Sequence, residues 1–380
     1  MAHIAPFEVM EVLARAQAMQ AAGRDVIHLE VGEPAFPTPQ PLVAAARRAL
    51  ADHPMGYTSA LGLEPLREQI SAHYRDRFGV DVAPERIVVT AGSSAALLMA
   101  LGALVDPGDR VLMGDPGYPC NRHFVSALDG EPVLIPTGPK TAYQVTAGLL
   151  AEAWEPGARA VIAASPSNPT GTRISLMEWS AIAALCRARG AALIADEIYQ
   201  GLTYDREPET VLSVADDVFV VNSFSKYFQM TGWRLGWLVV PDGWTREIER
   251  LAQNLFICPP TPAQYAALAA FRPETIEILE ERRAELAGRR EMLVDALPGI
   301  GFAVRVRPDG AFYVYCDVSG VCDDSFELCG RIIEATGVAI TPGRDFGVAA
   351  PAHHVRIAYT QPVARLEEAV DRIGGLLRAS

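Results

Sequence analysis

From about residue 81 onward, short β-branched runs alternate with helical patterns. Ile87–Thr90 and Arg110–Met113 read as strands, each followed by a helical stretch, Ser93–Leu104 and Tyr118–Leu128. After the apolar run Pro132–Pro136, Ala160–Ala164 reads as a strand. Ser175–Arg189 reads as a helix that opens with a Ser175…Glu178 capping box. Ala191–Ala195, Val218–Asn222 and Leu235–Val240 are continuous apolar runs rather than alternating ones. Strands of that kind are buried on both faces, which predicts an α/β fold with a mostly parallel sheet covered by helices on both sides. Pro262, just after Thr261, marks a further helix start, and a longer helix begins near Pro273 and runs to about Leu297.

The last third has a different pattern. Phe302–Arg307, Ala311–Asp317 and Val355–Thr360 read as strands, with helices at Ser325–Thr336 and Pro362–Arg378. This predicts a smaller α+β domain built from the N-terminal segment and the C-terminal third. The expected division is 1–42 for the N-terminal arm and part of the small domain, 43–278 for the large domain, and 279–380 for the small C-terminal domain.

Composition narrows the functional classes. The 380 residues are half apolar and carry a net charge of −13, so neither a nucleic acid nor an anionic membrane is expected as a partner. No apolar run reaches the roughly 20 residues that span a bilayer. The N-terminal stretch has acids and no basic region, so it does not read as a signal peptide. Six scattered cysteines without a C-x-x-C pair suggest neither a zinc site nor a disulfide framework. No metal site and a cytoplasmic location are the expectations. Of the 33 basic residues only Lys140 and Lys226 are lysines, so chemistry that needs a primary amine has two candidates.

Ligands of open α/β sheets bind beyond the carboxyl ends of the strands. Five segments with small, polar and ionisable residues follow the proposed strands: Thr90–Ser94, Asp115–Pro119, Ser165–Gly171, Asp196–Tyr199 and Ser223–Lys226. Each has a plain structural reading as a turn or cap. Gly92, Ser93 and Ser94 open a helix, where free N–H groups suit a phosphate. Arg234 is an isolated charge in an apolar stretch, where a charge needs a partner. An amine, an acid, a phosphate cradle and an Asn/Tyr pair at one sheet edge match the needs of pyridoxal 5'-phosphate. The lysine forms a Schiff base with the aldehyde, and the acid keeps the ring nitrogen protonated.

At this point the sequence resembles the class I/II aminotransferases of fold-type-I pyridoxal phosphate enzymes. The resemblance rests on Ser223-Phe-Ser-Lys226, Gly232-Trp-Arg234-Leu-Gly236, Asp196-x-x-Tyr199 and Asn168-Pro-Thr-Gly171, and the matching motifs run from Gly32 to Arg356. It implies that Lys226 carries the cofactor and moves the Cα proton, that Asp196 pairs with the pyridine nitrogen, and that Asn168 and Tyr199 bond the ring oxygen. Ser223, Arg234 and the backbone around Gly92, Ser93 and Ser94 would hold the phosphate, and Tyr118 would stack on the ring. Arg356 would grip the substrate carboxylate, approached also by the Gly32 backbone. Tyr57 would reach the phosphate of a neighbouring subunit, implying a homodimer with shared sites. The implied activity is transfer of an amino group from an L-amino acid to a 2-oxo acid through pyridoxamine phosphate. Two departures stand out: Ala35, where many relatives have an acid or amide, and Asn121, where many have an aromatic residue. Both are expected to border the substrate end.

Two other functions compete. A carbon–sulfur β-lyase would use the same scaffold and diverge only after Cα deprotonation. A transcription regulator that keeps this fold would need a DNA-binding module, for which neither the early start of the motifs nor the charge leaves room.

Overall fold

The computed structural model describes residues 8–379. Residues 1–7, which open the stretch read above as lacking a basic leader, lie outside the described residues. Helix α1 (Glu8–Ala21) leads to the two-residue strand β1 (Ile27–His28), then α2 (Gln40–Asp52) and α3 (Glu64–Phe78). Five strands follow with helices between them: β2 (Ile87–Thr90), α4 (Ser93–Leu104), β3 (Arg110–Asp115), α5 (Pro119–Ala127), β4 (Glu131–Pro136), α6 (Ala147–Glu152), β5 (Ala158–Ala164), α7 (Leu176–Arg189) and β6 (Ala192–Asp196). β7 (Phe219–Ser223) and β8 (Gly236–Val239) complete a seven-stranded sheet of order β2-β8-β7-β6-β5-β3-β4. Only β8 runs antiparallel to its neighbours.

Continuous apolar strands have the expected consequence. Leu193 and Ala195 face one core with Leu112, Val161 and Val220, while Ile194 between them faces a second core with Met113, Ile162 and Val221. The sheet is therefore dry on both sides, and polar groups can gather only at its ends.

The Ser175 hydroxyl caps α7 by accepting from Glu178 N at 3.2 Å. The return half of the capping box is diverted: the Glu178 carboxylate accepts from Ala147 N at 2.6 Å and so ties α7 to the start of α6.

Beyond the sheet come α8 (Thr245–Leu255), α9 (Thr261–Ala267) and the long α10 (Pro273–Ala296). The chain then forms β9 (Tyr313–Asp317), α11 (Ser325–Thr336), β10 (Val338–Ala339), β11 (Thr341–Pro342), β12 (His354–Ala358) and α12 (Val363–Ala379). β11, β12 and β9 make a small antiparallel sheet, and β1 pairs with β10, which joins the N-terminal segment to the last third. No described helix is long and apolar enough to cross a membrane.

The expected strand at Phe302–Arg307 does not form. Only Ala303 pairs, in a single bridge to Asp317. Arg305 then turns to the Asp317 carboxylate, Arg307 to Glu291 on α10, and Pro308 lacks the N–H that a ladder needs.

Candidate active site

The carboxyl ends of β2, β5, β6 and β7 and the start of β8 meet along one edge. The register pairs Thr90 and Ser223 with Gly236, and Ala164 with Asp196. A cavity of about 240 Å³ opens there and is closed from the other side by the small sheet and α1.

One end of the cavity is built for an anion. Gly92 caps α4 with φ of 82°, a conformation that favours glycine, and Ser93 and Ser94 line the cavity from the first turn. A Cβ on Gly92 would sit 2.5 Å from Arg234 Nη2, so the absence of a side chain is what lets the guanidinium lie over the helix start. Arg234 itself is in the left-handed region at φ 52° and is braced by an Nη1 bond to Thr231 O at 2.8 Å. A helix N-terminus and a guanidinium converge on one spot, which is a phosphate-binding arrangement. Ser225 also lines the cavity. Ser223 instead shapes the turn: its hydroxyl donates to Leu235 O at 3.4 Å and accepts from Ser225 N at 3.0 Å.

At the centre, Lys226 Nζ donates to Gly32 O at 2.7 Å and lies about 6 Å from the rings of Tyr199 and Phe312. Burial brings this amine down to about 8. Arg356 and Arg234 push the same way, while Glu33 and Asp196 oppose them. Asp196, at the end of β6, is pushed up to about 6 by burial despite accepting from Ile198 N at 3.1 Å and facing the lysine. A cationic partner beside a buried carboxyl raised in this way would favour its charged form. Its neighbour Glu197 points into the core, where Thr210 Oγ1 and Val211 N donate to it at 2.8 and 2.7 Å. Strand alternation thus assigns one acid to the cavity and the other to structure.

The opposite end is built around Arg356 on β12. Its guanidinium is fully buried between the rings of Tyr313 and Phe346, at 4.3 and 4.7 Å. Nη1 donates to Asn168 Oδ1 at 2.9 Å and Nη2 to Glu30 O, while Nε has no acceptor. Tyr313 also shares a 2.8 Å hydrogen bond with the hydroxyl of Tyr199. A Cβ on Gly32 would collide with the Tyr313 hydroxyl, so this glycine is needed for the close approach of β9.

The cavity therefore brings together Gly32, Ser93, Ser94, Tyr118, Asn168, Asp196, Tyr199, Lys226, Arg234 and Arg356. Three expected residues do not line it: Gly92 acts through its backbone, Ser223 through the turn, and Tyr57 is 83% exposed. Ala35 and Asn121 do not border it either. Ala35 is exposed, and Asn121 is buried beside a separate small void under α5. Sequence reasoning missed Tyr313, together with the apolar wall of Val9, Met10 and Val31. These come from the N-terminal segment and from β9, and no local motif marks them.

The amino-acid sequence matches the family described as aminotransferase class I and II over residues 24–373. It is 46% identical to the valine–pyruvate aminotransferase of Mycobacterium tuberculosis, over 99% of this chain and 97% of that one. A crystal structure of an aminotransferase from the same organism superposes with a TM-score of 0.97 at 46% identity, covering 100% of this chain and 98% of that one. Aspartate aminotransferase from Thermus thermophilus with maleate gives 0.93 at 33% identity, covering 98% and 97%. With likeness of this extent, the protein is an enzyme that transfers an amino group from an amino acid to a 2-oxo acid, and the chain belongs to the class I and II aminotransferase family.

Proposed function

We propose that this aminotransferase works with pyridoxal 5'-phosphate in the sheet-edge cavity, and that its preferred donor has an apolar side chain. When bound, the cofactor supplies an aldehyde that captures amines and a ring that accepts electrons. The observation that carries the reading is a lysine amine brought down to about 8 beside a buried acid, between two anion-binding ends. Lys226 Nζ would hold the cofactor and move the proton at the donor's Cα. Asp196 would pair with the ring nitrogen, and Asn168 and Tyr199 would flank the ring oxygen. The start of α4, Ser225 and Arg234 would bind the phosphate, with Tyr118 covering the ring. Arg356 would orient the α-carboxylate through its free Nε and sandwiched plane.

The donor assignment follows from the cations. Arg234 serves the phosphate end, Arg356 the α-carboxylate, and Lys226 the nitrogen. No further lysine or arginine lines the cavity among the described residues, and what remains at the substrate end is Val9, Met10 and Val31. A side-chain carboxylate would lie there unpaired, which is costly. The valine–pyruvate relative supports an aliphatic donor and a small 2-oxo acid as acceptor.

The enzyme would act as a homodimer in the cytoplasm. Tyr57 is exposed on an ordered loop, held by bonds from Thr261 Oγ1 to Gly56 O at 2.8 Å and from Gln264 Nε2 to Thr58 Oγ1 at 3.0 Å. A ring presented in this way suits the neighbouring subunit's phosphate. All six cysteines are free, as a reducing compartment favours.

Four outcomes test these readings. Lys226→Ala removes both attachment and proton transfer and should lower turnover by at least about 10²–10⁴-fold. Ordinary turnover in that variant would overturn the site. With pyruvate as acceptor, kcat/KM for valine should exceed that for aspartate by at least about tenfold. The reverse order would refute the donor class, and ammonia release from cysteine at comparable rates would favour the lyase. Uptake of pyridoxal phosphate by the apoenzyme needs Lys226 neutral and Asp196 ionised. Its rate, followed by visible absorbance, should therefore rise with pH from 6 through about 8; a flat profile would contradict the lowered amine. In sedimentation the protein should run at twice its 40.9 kDa chain mass, and a monomer would count against shared sites.

A further inference from the structure

The apolar wall belongs mainly to α1, with Val31 added from the segment after β1. What holds the first turn of α1 in place is a loop between β11 and β12. Asp345 on that loop is buried, and its Oδ1 accepts from Glu8 N at 3.0 Å. Arg344 Nη2 reaches the Glu8 carboxylate at 2.9 Å from the same loop. Phe346 packs against Val9, and its ring also covers the Arg356 guanidinium.

The loop is pinned in turn to the large sheet. Arg122 donates to Asp345 O at 3.1 Å, and Gly117 N donates to Phe346 O at 2.8 Å. Asp115, at the end of β3, accepts from both Val348 N and Ala349 N at 2.9 Å. Gly347 lies so close to that carboxylate that a side chain there would collide with it. Residues 345–349 are therefore fixed from the strand side and present one buried acid that bonds α1 and also lies in the field of Arg356.

We propose that Asp345 is a positioning residue for the donor side chain: its carboxylate anchors the first turn of α1 and so sets Val9 and Met10 against the substrate end of the cavity. Asp345 does not line the cavity and touches no reacting atom. The proposal rests on the reading that Val9 and Met10 form the donor wall. On that reading a valine side chain would contact the wall and the methyl group of alanine would not. Loss of the anchor should therefore be felt selectively.

The test compares the holoenzyme with Asp345→Ala and Asp345→Asn variants, using valine and alanine as donors and hydrogen exchange of the α1 amides as a second readout. In Asp345→Ala, kcat/KM for valine should fall about tenfold, chiefly through KM, as expected when a charged cap is lost. The value for alanine should change by less than about twofold, since a side chain that does not reach the wall gains nothing from it. Exchange at residues 9–12 should quicken. Asp345→Asn keeps an oxygen acceptor and should recover most of the valine rate. An equal loss for both donors, unchanged exchange in α1, or an Asn variant no better than Ala would overturn the proposal. If Asp345→Ala does not fold, Glu8→Pro removes the donated N–H where a helix tolerates proline, and it must show the same valine-selective loss. Met10→Ala separates the two readings. An unchanged valine-to-alanine ratio in Met10→Ala refutes the donor wall. A lowered ratio there with none in the Asp345 variants refutes only the positioning role.

Discussion

Three cations, Lys226, Arg234 and Arg356, are gathered around one cavity, and among the described residues none forms an ion pair. Of the three only Arg356 is fully buried, and burying a guanidinium without a counter-charge costs several kcal/mol, so its placement persists only where the surroundings compensate. Here the compensation is partial and oriented. Arg356 has aromatic faces above and below, an amide and a carbonyl at its edge, and a nitrogen, Nε, with no acceptor. The site is short of negative charge, and anionic ligands can supply it.

That deficit accounts for much of the local architecture. Burial and neighbouring cations lower Lys226, which keeps a useful fraction of its amine neutral near physiological pH. The same burial raises Asp196, the one acid that lines the cavity among the described residues. Glycines stand where backbone or guanidinium must come close, at Gly32 under Tyr313 and at Gly92 under Arg234. The packed sheet lies behind all of this. With apolar side chains on both faces, its strand ends are the place where polar groups from distant segments can meet.

The end proposed for the substrate is assembled differently from the end proposed for the cofactor. The residues proposed to hold the cofactor follow directly from strands of the large sheet, within a few residues of each strand end. The substrate end combines α1, the segment after β1, β9 and β12, and the loop around Asp345 clamps these pieces to the end of β3. The proposed side-chain selectivity thereby falls on elements that pack across the junction between the two sheets, while the proposed cofactor seat stays within one.

The amino-acid sequence by itself determined the doubly covered sheet and the residues that follow its strands. Both are local: continuous apolar runs report burial on two faces, and Ser223–Lys226, Asp196–Tyr199 and Asn168–Gly171 each sit directly beyond such a run. The helices at Ser93–Leu104 and Ser325–Thr336 were legible to the residue because local turn residues bound them, Gly92 before the first and Asp324 and Gly337 around the second. The Phe302–Arg307 strand was misread because its apolar alternation says nothing of a missing partner. Tyr313, Val9 and Met10 could not be found at all. Tyr313 joins the site through the register of β9 on β12, and Val9 through the hold of Asp345 on α1, across 337 residues of chain. Spacing along a chain records which residues share a face. Which faces meet was decided by tertiary packing, and at this site packing set the shape of the substrate end.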